Sequence, residues 1–262
     1  MKWLLALVSL AAAAGCGAQL GGDDQQNQSG TDANNGSNGS NGSNGSNTQI
    51  DAAVDAPPAC ANGRVLYLNF DGVTINQNAT SDATQNRTNW LTNGTAVVPP
   101  YHQNVAGRAA EIASIVDGTK QRLMNTPITV VTSRPATGRY VMIVFGGTRA
   151  ADGGTVGTQY TYATNEHDCG DVVKNDLGWI SDVPDVTYVP DLVMGTIGWG
   201  VGLNGTTDTA DCMCGWANGC SSAAGACTIS ASIPSTTSSG NTTCPNQNPQ
   251  NEVAAFTTGF CQ

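Results

Sequence analysis

Two histidines, His102 and His167, make up the whole imidazole complement of this 262-residue chain. A three-histidine zinc centre of the kind that activates water for peptide hydrolysis therefore cannot be assembled, whatever the fold. A substitute built on His167, Asp168 and a third group is the nearest alternative, set against the plainer reading of both histidines as exposed loop residues. Glu166 with Asp168 or Asp171 has the residue types of the acid/base pair of glycoside hydrolysis, yet short acidic loops usually just face water. A Ser-His-Asp set would need a nucleophile on a strained turn, and no GxSxG-like elbow is present. Neither a P-loop nor an EF-hand loop occurs, and Asp182 and Asp185 are too dispersed for a calcium loop. No cofactor or metal is expected from these residues.

Cysteine is the other reactive residue type. Nine occur, at 16, 60, 169, 212, 214, 220, 227, 244 and 261. Setting Cys16 aside leaves Cys60, Cys169, Cys212, Cys214, Cys220, Cys227, Cys244 and Cys261, an even number that in an exported protein reads as up to four disulfides. The alternative, a zinc cluster of Cys212, Cys214, Cys220 and Cys227, has neither two CxxC pairs nor a nearby histidine. Eight cysteines allow roughly a hundred pairings, so connectivity stays open. Bridges must order much of the region after Cys212, which is rich in Gly, Ser, Thr and Asn and poor in apolar residues.

The export reading comes from the N-terminus. Residues 1–15 place Lys2 before an apolar run from Trp3 to Ala14, a signal-peptide pattern too short for a spanning helix. Ala13-Ala14-Gly15-Cys16 resembles a bacterial lipobox, which implies lipidation at Cys16 and an anchor in the cell envelope. Gly17 after the cysteine points by analogy to the outer membrane or cell surface. Residues 16–58, with GSNGSNGSNGSN at 36–47, form a tract that cannot bury apolar surface and should act as a flexible tether reaching roughly 35 Å. Pro57 and Pro58 mark where a folded domain over 59–262 begins. The formal charge is -10, and loss of Lys2 leaves 9 basic against 20 acidic residues, or -11. That balance argues against nucleic acid as a partner and leaves the membrane to the N-terminal lipid. A monomer is expected.

The elements that must position any site follow from periodicity. Arg64–Phe70 alternates into a strand ending at Asp71-Gly72, and residues 77–95 read as a long surface loop. Tyr101–Leu123 carries Val105, Ala109, Ile112, Val116 and Leu123 at helical steps. Ile128–Thr132 and Tyr140–Phe145 are β-branched runs that read as buried strands. Leu192, Ile197, Val201 and Leu203 then give a short apolar stripe behind an N-cap at Asp191.

Pro190–Met213, with its helix, its Gly202-Leu203 turn and a methionine about ten residues on, resembles the active-site region of metzincin-type zinc peptidases, HExxHxxGxxH followed by a Met-turn. YLNFDG at 67–72, Arg134-Pro135, Gly146-Gly147 and Asp168-Cys169-Gly170 extend the likeness to a group of exported bacterial metzincin-like proteins, over Arg64–Met213, and by that likeness Thr158–Thr164 would be the edge strand and Val172–Ile180 the last strand. The resemblance implies an α/β (α+β) domain: a twisted mixed sheet, a long helix, a degenerate active-site helix and a disulfide-rich, loop-rich C-terminal part. It places the family's two helix histidines at Gly195 and Trp199, its glutamate at Thr196, its third histidine at Gly205 and its Met-turn at Met213. All four chemical positions are vacant, so the zinc expected of the family has no ligands. The implied function is an inactive peptidase-like domain that binds a peptide or protein in a cleft lined by Tyr160, Trp179 and Trp199. Against it stand a hydrolase with an unconventional site near His167 and Glu166, and a structural envelope protein whose cleft Trp199 packs shut.

Overall fold

The computed structural model describes residue 60 and residues 63–262, apart from 93, 151–152, 155, 159–161, 183–184, 218, 222–224 and 238–242. The signal peptide, Cys16, the whole tether and the expected cleft residue Tyr160 lie outside the described residues.

The strands are β1 (Val65–Asn69), β2 (Val73–Gln77), β3 (Arg87–Thr88), β4 (Thr95–Val98), β5 (Thr129–Val131), β6 (Tyr140–Phe145), β7 (Ala163–Thr164) and β8 (Leu177–Ile180). The helices are α1 (Arg108–Arg122), α2 (Val189–Gly200) and α3 (Glu252–Cys261). Among the described residues five strands form one sheet in the order β5-β1-β6-β8-β7, parallel except for β7. This is the mixed α/β (α+β) architecture expected. All six residues of β6 are buried, as a central parallel strand covered on both faces requires. On one face Leu66, Leu68, Val141 and Ile143 meet Ile115 of α1 and Val193 and Ile197 of α2. On the other, Tyr67, Met142, Val144 and Trp179 pack with Ile75, Trp90 and Val98. No helix among the described residues is long and apolar enough to cross a membrane.

The second layer corrects the expectation of a plain loop over 77–95. A three-stranded sheet, β3-β2-β4, covers that face. Its apolar content is one residue in two, Ile75 on β2 and Ala96 and Val98 on β4, so the signal is short alternation inside polar sequence. Trp90 anchors the loop by donating from Nε1 to Leu177 O at 2.7 Å.

Four other boundaries move. Helix α1 begins at Arg108 rather than Tyr101, because His102, Asn104 and Gly107 hold φ of 41°, 70° and 89°, incompatible with an α-helix. The edge strand is confined to Ala163–Thr164 and the last strand to Leu177–Ile180. Asp191 is not an N-cap. The cap is Tyr188, and Asp191 lies in the first turn of α2, accepting from Arg122 Nε at 2.5 Å and from the Cys227 N–H at 3.2 Å.

The C-terminal part is loop-rich, as expected, and ends in a helix that periodicity did not announce. Helix α3 is capped by Asn251, whose side chain accepts from the Ala254 N–H. All eight candidate cysteines are paired: Cys60–Cys261, Cys169–Cys244, Cys212–Cys227 and Cys214–Cys220. The four cysteines weighed as a zinc cluster form two of these bridges.

Candidate functional site

All twelve residues of α2 are buried, and the residues at its expected chemical positions are explained by what lies against them. A Cβ at Gly195 would overlap the Trp216 indole. The absence of a side chain there is what lets Trp216 lie on the helix. Thr196 donates from Oγ1 to Leu192 O at 2.6 Å, a bond internal to the helix. Trp199 stacks on His167, with ring centroids 3.8 Å apart and planes 19° apart, and meets Trp216 at 5.0 Å and 36°. At Gly205 a Cβ would collide with the backbone of Ala217. Met213 is buried beneath the helix with its Sδ against Gly198.

The loop leaving α2, Gly200-Val201-Gly202-Leu203-Asn204-Gly205, has GxGxxG spacing, but it follows a helix instead of joining a strand to one, so it forms no dinucleotide cradle. Its glycines serve close approach. Gly202 turns at φ +81° with Asp168 O where a Cβ would be. Gly200 leaves room for Asp176, whose carboxylate accepts from Asn165 Nδ2 and, at 2.8 Å, from the Leu177 N–H. Asn165 also donates to Thr196 O at 3.0 Å, pinning the centre of α2 to the segment before β8. Burial pushes the Asp176 carboxyl up to about 7.

His167 is held by backbone. Its Nε2 lies 3.1 Å from Leu203 O and 3.2 Å from Cys244 Sγ. A carbonyl only accepts, so Nε2 carries the proton. Burial pulls the His167 pKa below the usual imidazole value, which favours the neutral ring. Ligating atoms of His167, Cys169 and Cys244 fall within 4.8 Å of one another. The two sulfurs are bonded to each other at 2.00 Å, so neither is a thiolate that could hold an ion. The three positions that should present zinc ligands, Gly195, Trp199 and Gly205, offer no donor atom for one. The residues present do not fit a zinc centre.

The acidic loop that could have been a hydrolytic pair is structural. Glu166 accepts from the Ser81 N–H at 2.8 Å and Asp168 from the Val173 N–H at 2.6 Å. Asp171 pairs with Arg64 at 2.6 Å and Lys174 at 3.0 Å. His102, before α1, bonds Glu111 Oε2 through Nδ1 at 2.7 Å. Of the expected cleft residues, Trp179 and Trp199 are not brought together. Trp179 is fully buried on the sheet face away from α2, donating from Nε1 to Gly146 O, and Trp199 is 4% exposed. Trp216, the third member of the aromatic cluster, was missed in sequence. Its one signal was a tryptophan three residues after Met213 and a glycine where α2 would otherwise carry a side chain.

Compared with family models, curated proteins and solved structures, the chain has no match.

The packing at Gly195 has a measurable consequence. Alanine should raise helix propensity by about 1 kcal/mol, but overlap with Trp216 costs about 1–3 kcal/mol. Gly195→Ala is therefore expected to lower stability by roughly 1 kcal/mol in urea unfolding, while Gly94→Ala, in open space, stays within about 0.5 kcal/mol of wild type.

Proposed function

We propose that this chain is a lipid-anchored envelope protein whose domain is arranged like a metzincin-type peptidase, has no zinc chemistry, and acts by binding. The observation that carries the reading is Trp199. It occupies the position of a metal ligand and is buried between His167 and Trp216. A substrate cannot reach a reacting group there, and no general base stands at Thr196. Binding then falls to the sheet edge, where β7 is paired with β8 alone among the described strands and Tyr162 beside it is 56% exposed. An extended peptide or protein segment can add a strand at such an edge through main-chain hydrogen bonds. The closed aromatic cluster also favours the second reading, a structural envelope protein with no cleft function.

Metal content of the purified, tag-free protein, with thermal melts in the presence and absence of a chelator, tests the first half. The expected result is no stoichiometric zinc and no chelator-induced shift. One zinc per chain with chelator-sensitive melting would overturn it. The binding half is tested by extended peptides, whose affinity should fall when alternate backbone amides are N-methylated. Peptides that never bind would leave the structural reading in place.

A further inference from the structure

The segment passing beneath α2 is tied to α3 by two acids. Asp211 is 1% and Glu252 0% exposed. Asp211 Oδ1 accepts from the Met213 N–H at 2.8 Å and the Thr206 hydroxyl at 3.2 Å, whereas Oδ2 has no hydrogen-bond partner. Glu252 accepts from the Ser230 N–H and from Gln250 Nε2, both at 2.9 Å. One short segment sets the two acids side by side: Asp211 is bridged to Thr228, and Glu252 bonds Ser230 two residues on through both its backbone N–H and its carboxylate. No compensating cation is at hand. From Val201 to Gln262 the chain has no Lys, Arg or His, and its acids are Asp208, Asp211 and Glu252. Asp208 adds further negative charge near Asp211. Arg64 meets α3 only near its other end, at Gly259, and is committed to Asp171.

Two ionised carboxylates in contact, buried and without a cation, repel each other strongly, and a proton between them turns the repulsion into a hydrogen bond. We propose that Asp211 and Glu252 bind one proton between them, and that this shared proton is a latch holding the Met213–Trp216 segment to α3. Through Met213 against Gly198 and Trp216 against Gly195 and Trp199, the latch keeps the aromatic cluster closed. Gln250 extends it to the loop after α2, accepting from the Asn204 N–H at 2.9 Å and donating to Asn204 O at 3.0 Å.

Burial raises both carboxyls above their ordinary values, Glu252 to about 8. A folded-state value above the unfolded one gives stability that is fully present below the ordinary carboxyl pKa and is lost as pH rises through the folded value. The latch is thus closed at neutral and acid pH and opens toward alkaline pH.

Thermal melts and acrylamide quenching of tryptophan fluorescence on the full chain, for wild type, Glu252→Gln and Asp211→Asn, provide the test. Between about pH 6 and about pH 9.5 the wild-type Tm is expected to fall by roughly 5–10 °C, with quenching rising in parallel. Either amide can donate to the remaining carboxylate without titrating, so each variant should lose less than about half as much over that range. Asp176, also raised, is common to all three proteins and cancels in the comparison. Equal losses in wild type and in whichever variant folds would overturn the proposal. So would an alkaline wild-type Tm restored by calcium or sodium, which would make the pair a cation site.

Discussion

Replacing Trp199 with alanine is expected to cost about 3–5 kcal/mol and to lower Tm by roughly 10 °C. The indole is buried among His167, Trp216 and the backbone of α2. Collapse into the vacated volume is restricted, because the helix is backbone-only at Gly195, Gly198 and Gly200, each already in contact with Trp216, Met213 or Asp176. Most of the cavity should therefore persist. Trp199→His, which places there the residue type of the peptidases the helix resembles, should also be destabilised, since an imidazole fills less volume. It should bind no zinc, because Gly195 and Gly205 still supply no ligand. Urea unfolding with metal analysis of both variants makes the comparison. A cost below about 1 kcal/mol for the alanine variant would mean that the cluster is loosely packed and the site open.

Asp171→Asn is the second large effect, expected at about 3–5 kcal/mol. Arg64 has a fully buried side chain, and its guanidinium donates to Asp171 at 2.6 Å, to Gly259 O and, at 3.1 Å, to Val173 O. It also lies 5.2 Å from the Phe260 ring centroid. Asparagine tolerates the left-handed backbone at this position, where φ is 51°, so the substitution changes charge and leaves the fold of the loop alone. A buried guanidinium facing only carbonyls and a ring has lost its countercharge, and that penalty dominates. Adding Arg64→Met to Asp171→Asn should recover part of the loss. Recovery in urea unfolding would show that the penalty lies in the unpaired charge; none would place it in the bonds joining the start of β1 to the end of α3.

Much of the layout was legible locally. The β-branched run at 140–145 specifies a buried strand, because a central parallel strand needs apolar partners on both faces; the similar run at 128–132 was expected to be buried too, but β5 lies at the sheet edge and its residues are exposed or half-buried. Ile197 and Val201 mark the helix by their four-residue step, Val201 standing as the C-cap of α2. The absence of a third histidine excluded a three-histidine centre before any geometry was known, since a ligand count depends on composition alone. The even count of eight cysteines pointed to up to four bridges, and four form.

What stayed hidden depends on which distant residues meet. Pairing Cys60 with Cys261 joins positions 201 residues apart, a choice among roughly a hundred that no local period encodes. Residues 77–95 appeared as loop because the strand inside the stretch is only Arg87–Thr88 and β4 starts at its very end, too little for alternation to register in polar sequence until another sheet face covers it. Gly195 read as a vacant ligand position, and only the arrival of Trp216 from 21 positions along (216 − 195) made it a packing surface. Nothing in the sequence singled out Asp211 and Glu252. Their burial against each other, with no cation in the last sixty-two residues, is a product of the tertiary fold, because charge becomes costly only once folding has removed the water around it.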